Sequence, residues 1–158
     1  MLKIFILKSI CRTENEIANI VVDVAFHIHT KQGPGLLESV YEEIMYYKLQ
    51  KEGLNLERQK GIPVIGDELK MDLGFRADLI AEKKVIIKLK SVEAIAPVHP
   101  KQLLTYLRIT GMKPGLLINF NERLIMDGIT RMVNHLSISK TANLLKNIPW
   151  RLSGFARK

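Results

Sequence analysis

The sequence predicts an α/β domain, and three observations predict it. Apolar residues recur at helical spacing between Ile17 and Leu49, and they alternate with period two between Leu69 and Lys90. A continuous apolar run, Gly115-Leu116-Leu117-Ile118-Asn119-Phe120, follows a third helical pattern. Helices bounding a run of strands, with a helix between the later strands, give a mixed sheet with helices on its faces.

The elements follow in order. Thr13 and Glu16 have the spacing of a capping box, with the cap residue three positions before an acid. Ile17, Ile20, Val21, Val24, Ala25 and Ile28 form the stripe of the helix that begins there. Gly33-Pro34-Gly35 breaks it. A second helix buries Leu36, Leu37, Val40, Tyr41, Ile44, Met45 and Leu49 and stops at Gly53, with Glu38 flanking the stripe in its first turn.

Leu56 to Ile65 reads as a strand, edge-like because Pro63 cannot donate to a ladder. Gly66-Asp67 marks a turn, and Leu69, Met71, Leu73 and Phe75 alternate with polar or small residues, Gly74 marking a bulge. Phe75 to Ser91 then reads as a hairpin. Phe75, Ala77 and Leu79 alternate with Arg76, Asp78 and Ile80; Glu82-Lys83-Lys84 turns the chain; Val85, Ile87 and Leu89 alternate with Ile86, Lys88 and Lys90. Asp78 and Lys90 thereby share the face opposite the main core. A helix over roughly Lys101 to Thr110 ends at Gly111 and places Gln102 and Tyr106 four apart on one face. A strand over 115–120 and another near Ile129 to Val133 complete the sheet, and a weak helix or loose tail begins at Leu136.

At 158 residues and 47% hydrophobic composition, the chain is expected to form one domain with a real core. We divide it into an extension over 1–13, the domain over 14–134 and a basic tail over 135–158. No apolar run is long enough to span a bilayer, and the short Ile-Phe-Ile-Leu run near the start is no secretory segment. With the single Cys11, this points to the cytoplasm and to no membrane partner. The net charge is +8; residues 1–13 carry +3 and the stretch after Asp127 carries +6, leaving −1 for 14–127. Basic ends attract phosphate non-specifically or simply aid solubility.

An acid and a lysine on neighbouring strands form either a surface ion pair or one corner of a metal-assisted site. The motifs around them carry a resemblance. Gly35-Leu36-Leu37-Glu38-Ser39-Val40-Tyr41, the RADLI strand, the HPKQLLTYL helix and the GLLINF strand occur in one order over about Ile17 to Asn134. In this the chain resembles the GxxExxY family, a branch of the PD-(D/E)XK nucleases. The resemblance implies a restriction-endonuclease-like fold and a Mg²⁺- or Mn²⁺-dependent phosphodiesterase acting on DNA or RNA. It implies Glu38 and Asp78 as metal ligands, Lys90 as the catalytic lysine, and Gln102 and Tyr106 as residues lining the site or touching substrate.

One position departs from the family pattern. The Glu-x-Lys motif reads Lys88-Leu89-Lys90 here. A charged ammonium has no lone pair for a metal, and the set of side chains moves from a formal −2 to 0. At roughly 4–5 Å and an effective dielectric near 20, that change opposes a dication by several kcal/mol. Glu38 and Asp78 are then expected to pair with Lys88 and Lys90. Glu93 has the wrong strand parity to replace the lost acid, and Glu82 lies in the turn. The competing expectation to nuclease action is therefore an inactive scaffold retained as a nucleic-acid-binding or protein-interaction module. His27 and His29 point different ways on their helix and read as structural, His99 reads as a helix cap, and Trp150 stacks on a base or packs on the domain.

Overall fold

The computed structural model describes residues 11–65 and 70–135. Helix α1 spans Glu14–Gln32 and α2 Glu38–Lys51; strands β1 (Leu56–Ile65), β2 (Lys70–Ala81) and β3 (Val85–Lys90) follow. Helix α3 (Val98–Thr110), β4 (Pro114–Asn119), a 3-10 turn over Ile125–Gly128 and β5 (Ile129–Val133) complete the order. The five strands lie in sequence order, so β1 is an edge, as Pro63 requires. Strands β1, β2 and β3 form an antiparallel meander. Helix α3 carries the chain over to β4, which runs parallel to β3, and β5 returns antiparallel.

Thr13 caps α1 through the full reciprocal box: its hydroxyl accepts from the Glu16 amide, and the Glu16 carboxylate accepts from the Thr13 amide at 2.7 Å. Gly33 ends α1 at φ 68°, and Gly53 follows α2 at φ 78°. Leu37 precedes α2 in extended conformation and is 73% exposed, and Val40 is also exposed, so neither joins the predicted stripe. The buried face of α2 is Tyr41, Glu42, Met45 and Leu49. Helix α3 starts at Val98, so His99 lies inside its first turn and does not cap it.

Both faces of the sheet are apolar. Helices α1 and α2 cover one face, packing Ile17, Val21, Ile28, Tyr41 and Met45 against Leu79, Ile87, Leu89, Leu116 and Ile118. Helix α3 covers the other with Leu103, Tyr106 and Leu107 over Ile80, Ile86 and Leu117. Ala77 packs into this second core, not beside Leu79, so the simple alternation predicted for β2 breaks at Asp78. The β1–β2 register shifts between Ile62 and Val64, opposite the Met71–Phe75 segment that holds Gly74. The turn at Gly66-Asp67, the region from Leu136 and Trp150 lie outside the described residues.

Candidate functional site

Helix α2, β2 and β3 meet where β3 and β4 end. Lys90, the last residue of β3, lies beside Asn119, the last of β4. The carboxyl ends of parallel strands are the side of an α/β sheet on which ligands bind.

Asp78 occupies the point where β2 leaves β3. The ladder pairs Ala81 with Val85, Ile80 with Ile86 and Leu79 with Ile87. Beyond that, the Leu89 amide donates to Asp78 Oδ2 at 2.8 Å, so a side-chain oxygen takes the place of a strand carbonyl. Asp78 Oδ1 accepts from Lys88 Nζ at 2.9 Å, and the same ammonium reaches the Arg76 carbonyl at 3.4 Å. The two side chains are only 8% and 12% exposed, which makes this a buried ion pair.

The second pair is Lys90 with Glu38. Lys90 Nζ lies 3.1 and 3.4 Å from the two Glu38 oxygens. Lys90 is 14% exposed and Glu38 40%, so this pair opens toward solvent. Its position follows from the Gly-Leu-Leu-Glu-Ser-Val-Tyr segment. Gly35 turns the chain at φ 107°, which a residue with a Cβ adopts only under strain. Tyr41, three residues after Glu38, stacks on Phe120 with centroids 4.3 Å apart. Its hydroxyl donates to the Gly33 carbonyl at 2.5 Å and accepts from the Leu36 amide at 3.2 Å. Ser91 Oγ donates to the Leu36 carbonyl at 2.7 Å, tying the loop before α2 to the end of β3. The Gly and Tyr of the motif therefore place its Glu.

The sequence-predicted residues are thus assembled through β3. Lys88 and Lys90 are two positions apart on one strand, roughly 7 Å along it, and each holds one of the two acids. Tyr106 is buried, and the charge of Asp78, after burial itself, raises its hydroxyl pKa. It packs in the core that also holds Ile86 and Ala77, the strand neighbour of Asp78, while Leu79 and its ladder partner Ile87 lie on the other face. Gln102, one turn earlier on α3, is half-buried and makes no hydrogen bond among the described residues.

Sequence reasoning missed Asn119. Its side chain is fully buried and grips Val92 at two points, accepting from the amide at 3.1 Å and donating to the carbonyl at 2.9 Å. The Phe120 amide donates to the Lys90 carbonyl at 2.8 Å. These bonds fix the chain just after Lys90; an amide ending an otherwise apolar strand was the available signal. Also missed was Glu42, buried on α2 and bonded to Arg58 Nε at 2.7 Å and Gln59 Nε2 at 2.6 Å. His29 bonds the Glu122 carbonyl at 2.7 Å, a structural contact as expected.

A divalent ion is the group this arrangement must be tested against. Both carboxylates already hold an ammonium at hydrogen-bond distance, and among the described residues no three His, Cys, Asp or Glu side chains converge. The donor set does not fit a dication. No described helix is long and apolar enough to cross a membrane.

Neither a curated protein nor a solved structure gives a significant match to the chain. The family profile of the PD-(D/E)XK nuclease superfamily matches residues 15–132. That range takes in α1 through β5 and the whole of the site, and the mixed five-stranded sheet with its flanking helices is the restriction-endonuclease-like architecture. The chain belongs to the PD-(D/E)XK nuclease superfamily.

Proposed function

We propose that this chain is a GxxExxY-type member of the superfamily whose hydrolytic site is silenced by Lys88, leaving a cytoplasmic nucleic-acid-binding module. The observation that carries the proposal is the 2.9 Å contact between Lys88 Nζ and Asp78 Oδ1. An ammonium there supplies the positive charge that a bound cation would supply, yet it cannot coordinate or acidify a water as a metal does. Glu38 is matched by Lys90 in the same way. Tyr106 keeps its proton near neutral pH, since burial and the Asp78 charge both disfavour the phenolate. The superfamily membership and the +8 charge support nucleic acid as the partner.

The test is titration calorimetry with Mg²⁺ and Mn²⁺, with a cleavage assay on DNA and RNA, for the parent and Lys88→Glu. The variant is expected to gain metal affinity and metal-dependent cleavage while the parent shows neither. Metal-dependent cleavage by the parent, lost in Asp78→Ala, overturns the proposal. That outcome would make Asp78 a metal ligand despite Lys88, and Glu38→Gln and Lys90→Met would then test the second ligand and the catalytic lysine.

A further inference from the structure

At the opposite end of the sheet, where β3 and β4 begin, the charge balance reverses. A cleft of about 210 Å³ lies between the β2–β3 turn, the end of α3 and the approach to β4. Lys83, Lys84 and Lys113 line it, with Thr110, Gly111 and Met112 forming its wall and Glu14 as its single acid. Among the described residues none of the three lysines is in an ion pair, whereas Lys88 and Lys90 are both matched. Lys84 Nζ donates to the Arg12 carbonyl at 2.7 Å, which holds it in place, and it lies within electrostatic reach of the Glu16 carboxylate, so Lys83 and Lys113 supply most of the unmatched charge. Lys83 and Lys113 are exposed.

The turn that presents two of these lysines is built against local preference. Glu82 and Lys83 have φ of 52° and 54°, and the Lys84 amide closes the turn on the Ala81 carbonyl at 2.9 Å. Two central residues at positive φ are the pattern that Asn-Gly usually fills. Here the Glu82 carboxylate clamps the turn, accepting from the Asn55 amide at 2.8 Å, while the Glu82 amide donates to the Asn55 carbonyl. The strained position is thus occupied by a cation held out at the cleft.

We infer that this cleft, not the ion-paired site at the far end, is the principal contact for nucleic-acid phosphate. It is smaller than a pocket for a drug-sized molecule, and it suits one phosphate group among three ammoniums. A chain of phosphodiesters is the ligand that brings such groups in series. The inference rests on the binding-module reading and assigns that module its contact surface.

The experiment is fluorescence anisotropy of a labelled single-stranded and a labelled duplex oligonucleotide with the full chain over a salt series. The Lys83→Gln/Lys113→Gln variant is compared with Lys48→Gln/Lys51→Gln on α2, which removes the same charge elsewhere. The cleft variant is expected to bind about tenfold more weakly and to lower the slope of log K against log salt by about 2, as loss of two phosphate contacts implies. The α2 variant is expected to track the parent. Equal weakening in both variants, or parental affinity in the cleft variant, overturns this inference and leaves the binding module standing. No binding by the parent overturns the module itself. If the cleft variant loses affinity for polyglutamate but not for oligonucleotide, the surface serves an acidic protein and the inference also falls. Circular dichroism melts of each variant show that loss of binding is not loss of fold.

Discussion

Lys88 and Asp78 act as a unit, and their burial decides how they respond to substitution. Removing one partner of a buried pair strands the other, and Asp78 also satisfies the Leu89 amide. Asp78→Ala is therefore expected to cost about 3–5 kcal/mol in urea unfolding. Lys88→Met alone destabilises too, because Asp78 is left charged and unmatched. The double change Asp78→Asn/Lys88→Met is expected to recover most of the loss, and a double-mutant cycle measures the coupling. The more exposed Lys90–Glu38 pair contributes about 0–1 kcal/mol by the same measurement. Tyr106 adds a pH dependence. Its folded pKa is raised above the ordinary phenol value, first by burial and then by Asp78. The folded protein therefore holds that proton more tightly than the unfolded chain. Its contribution is complete below the unfolded pKa near 10 and declines as pH rises from there through the folded value. Urea midpoints between pH 8 and 11 are expected to fall for the parent and to fall less for Tyr106→Phe.

At the scale of elements, the ends of strands carry the tightest constraints. A Cβ on Gly128, before β5, would meet the Asn119 backbone oxygen at 2.3 Å and Glu122 Cγ at 2.9 Å. The first of these is main chain at the end of β4 and has little room to move. Gly128→Ala is expected to lower the melting temperature measurably and to disturb the Asn119–Val92 grip, seen as faster hydrogen exchange at Val92. The β2–β3 turn offers the opposite case. Lys83→Gly removes a left-handed penalty and is expected to raise stability by about 1 kcal/mol while weakening oligonucleotide binding. Helix α1, the turn of the β2–β3 hairpin and β4 were legible because an unbroken helical stripe between Thr13 and Gly33, the polar Glu82-Lys83-Lys84 and a continuous apolar run mark them. Helix α2 was harder to read. Glu42 occupies a buried position because Arg58 and Gln59 come to it from β1, a pairing that no local pattern encodes. The break at Asp78 was hidden for a related reason, since the side chain replaces a backbone partner in the ladder and lets the strand turn.

For the whole molecule, the strand and helix order sufficed to predict the α/β class, and the spaced motifs sufficed to suggest the PD-(D/E)XK nuclease superfamily. Which ammonium meets which acid was not legible, because it depends on the sheet register and on where β2 parts from β3. The distribution of charge was only half visible. Counting residues located the excess at the two ends of the chain, but the folded sheet also gathers Lys83, Lys84 and Lys113 from places 30 positions apart. With this surface and the basic ends acting together, oligonucleotide affinity is expected to fall steeply between 50 and 200 mM salt, roughly in proportion to the phosphates contacted. A flat salt response would contradict an electrostatic partner.

The paired lysines at the strand ends have one more consequence. Carboxylates gathered without cations repel one another, and such a cluster depends on dissolved ions to hold it together. Here the neutralising groups are part of the polypeptide, delivered at a fixed ratio whenever the chain folds. Thermal melts should therefore be superimposable with and without EDTA, whatever the supply of divalent ions in the surroundings.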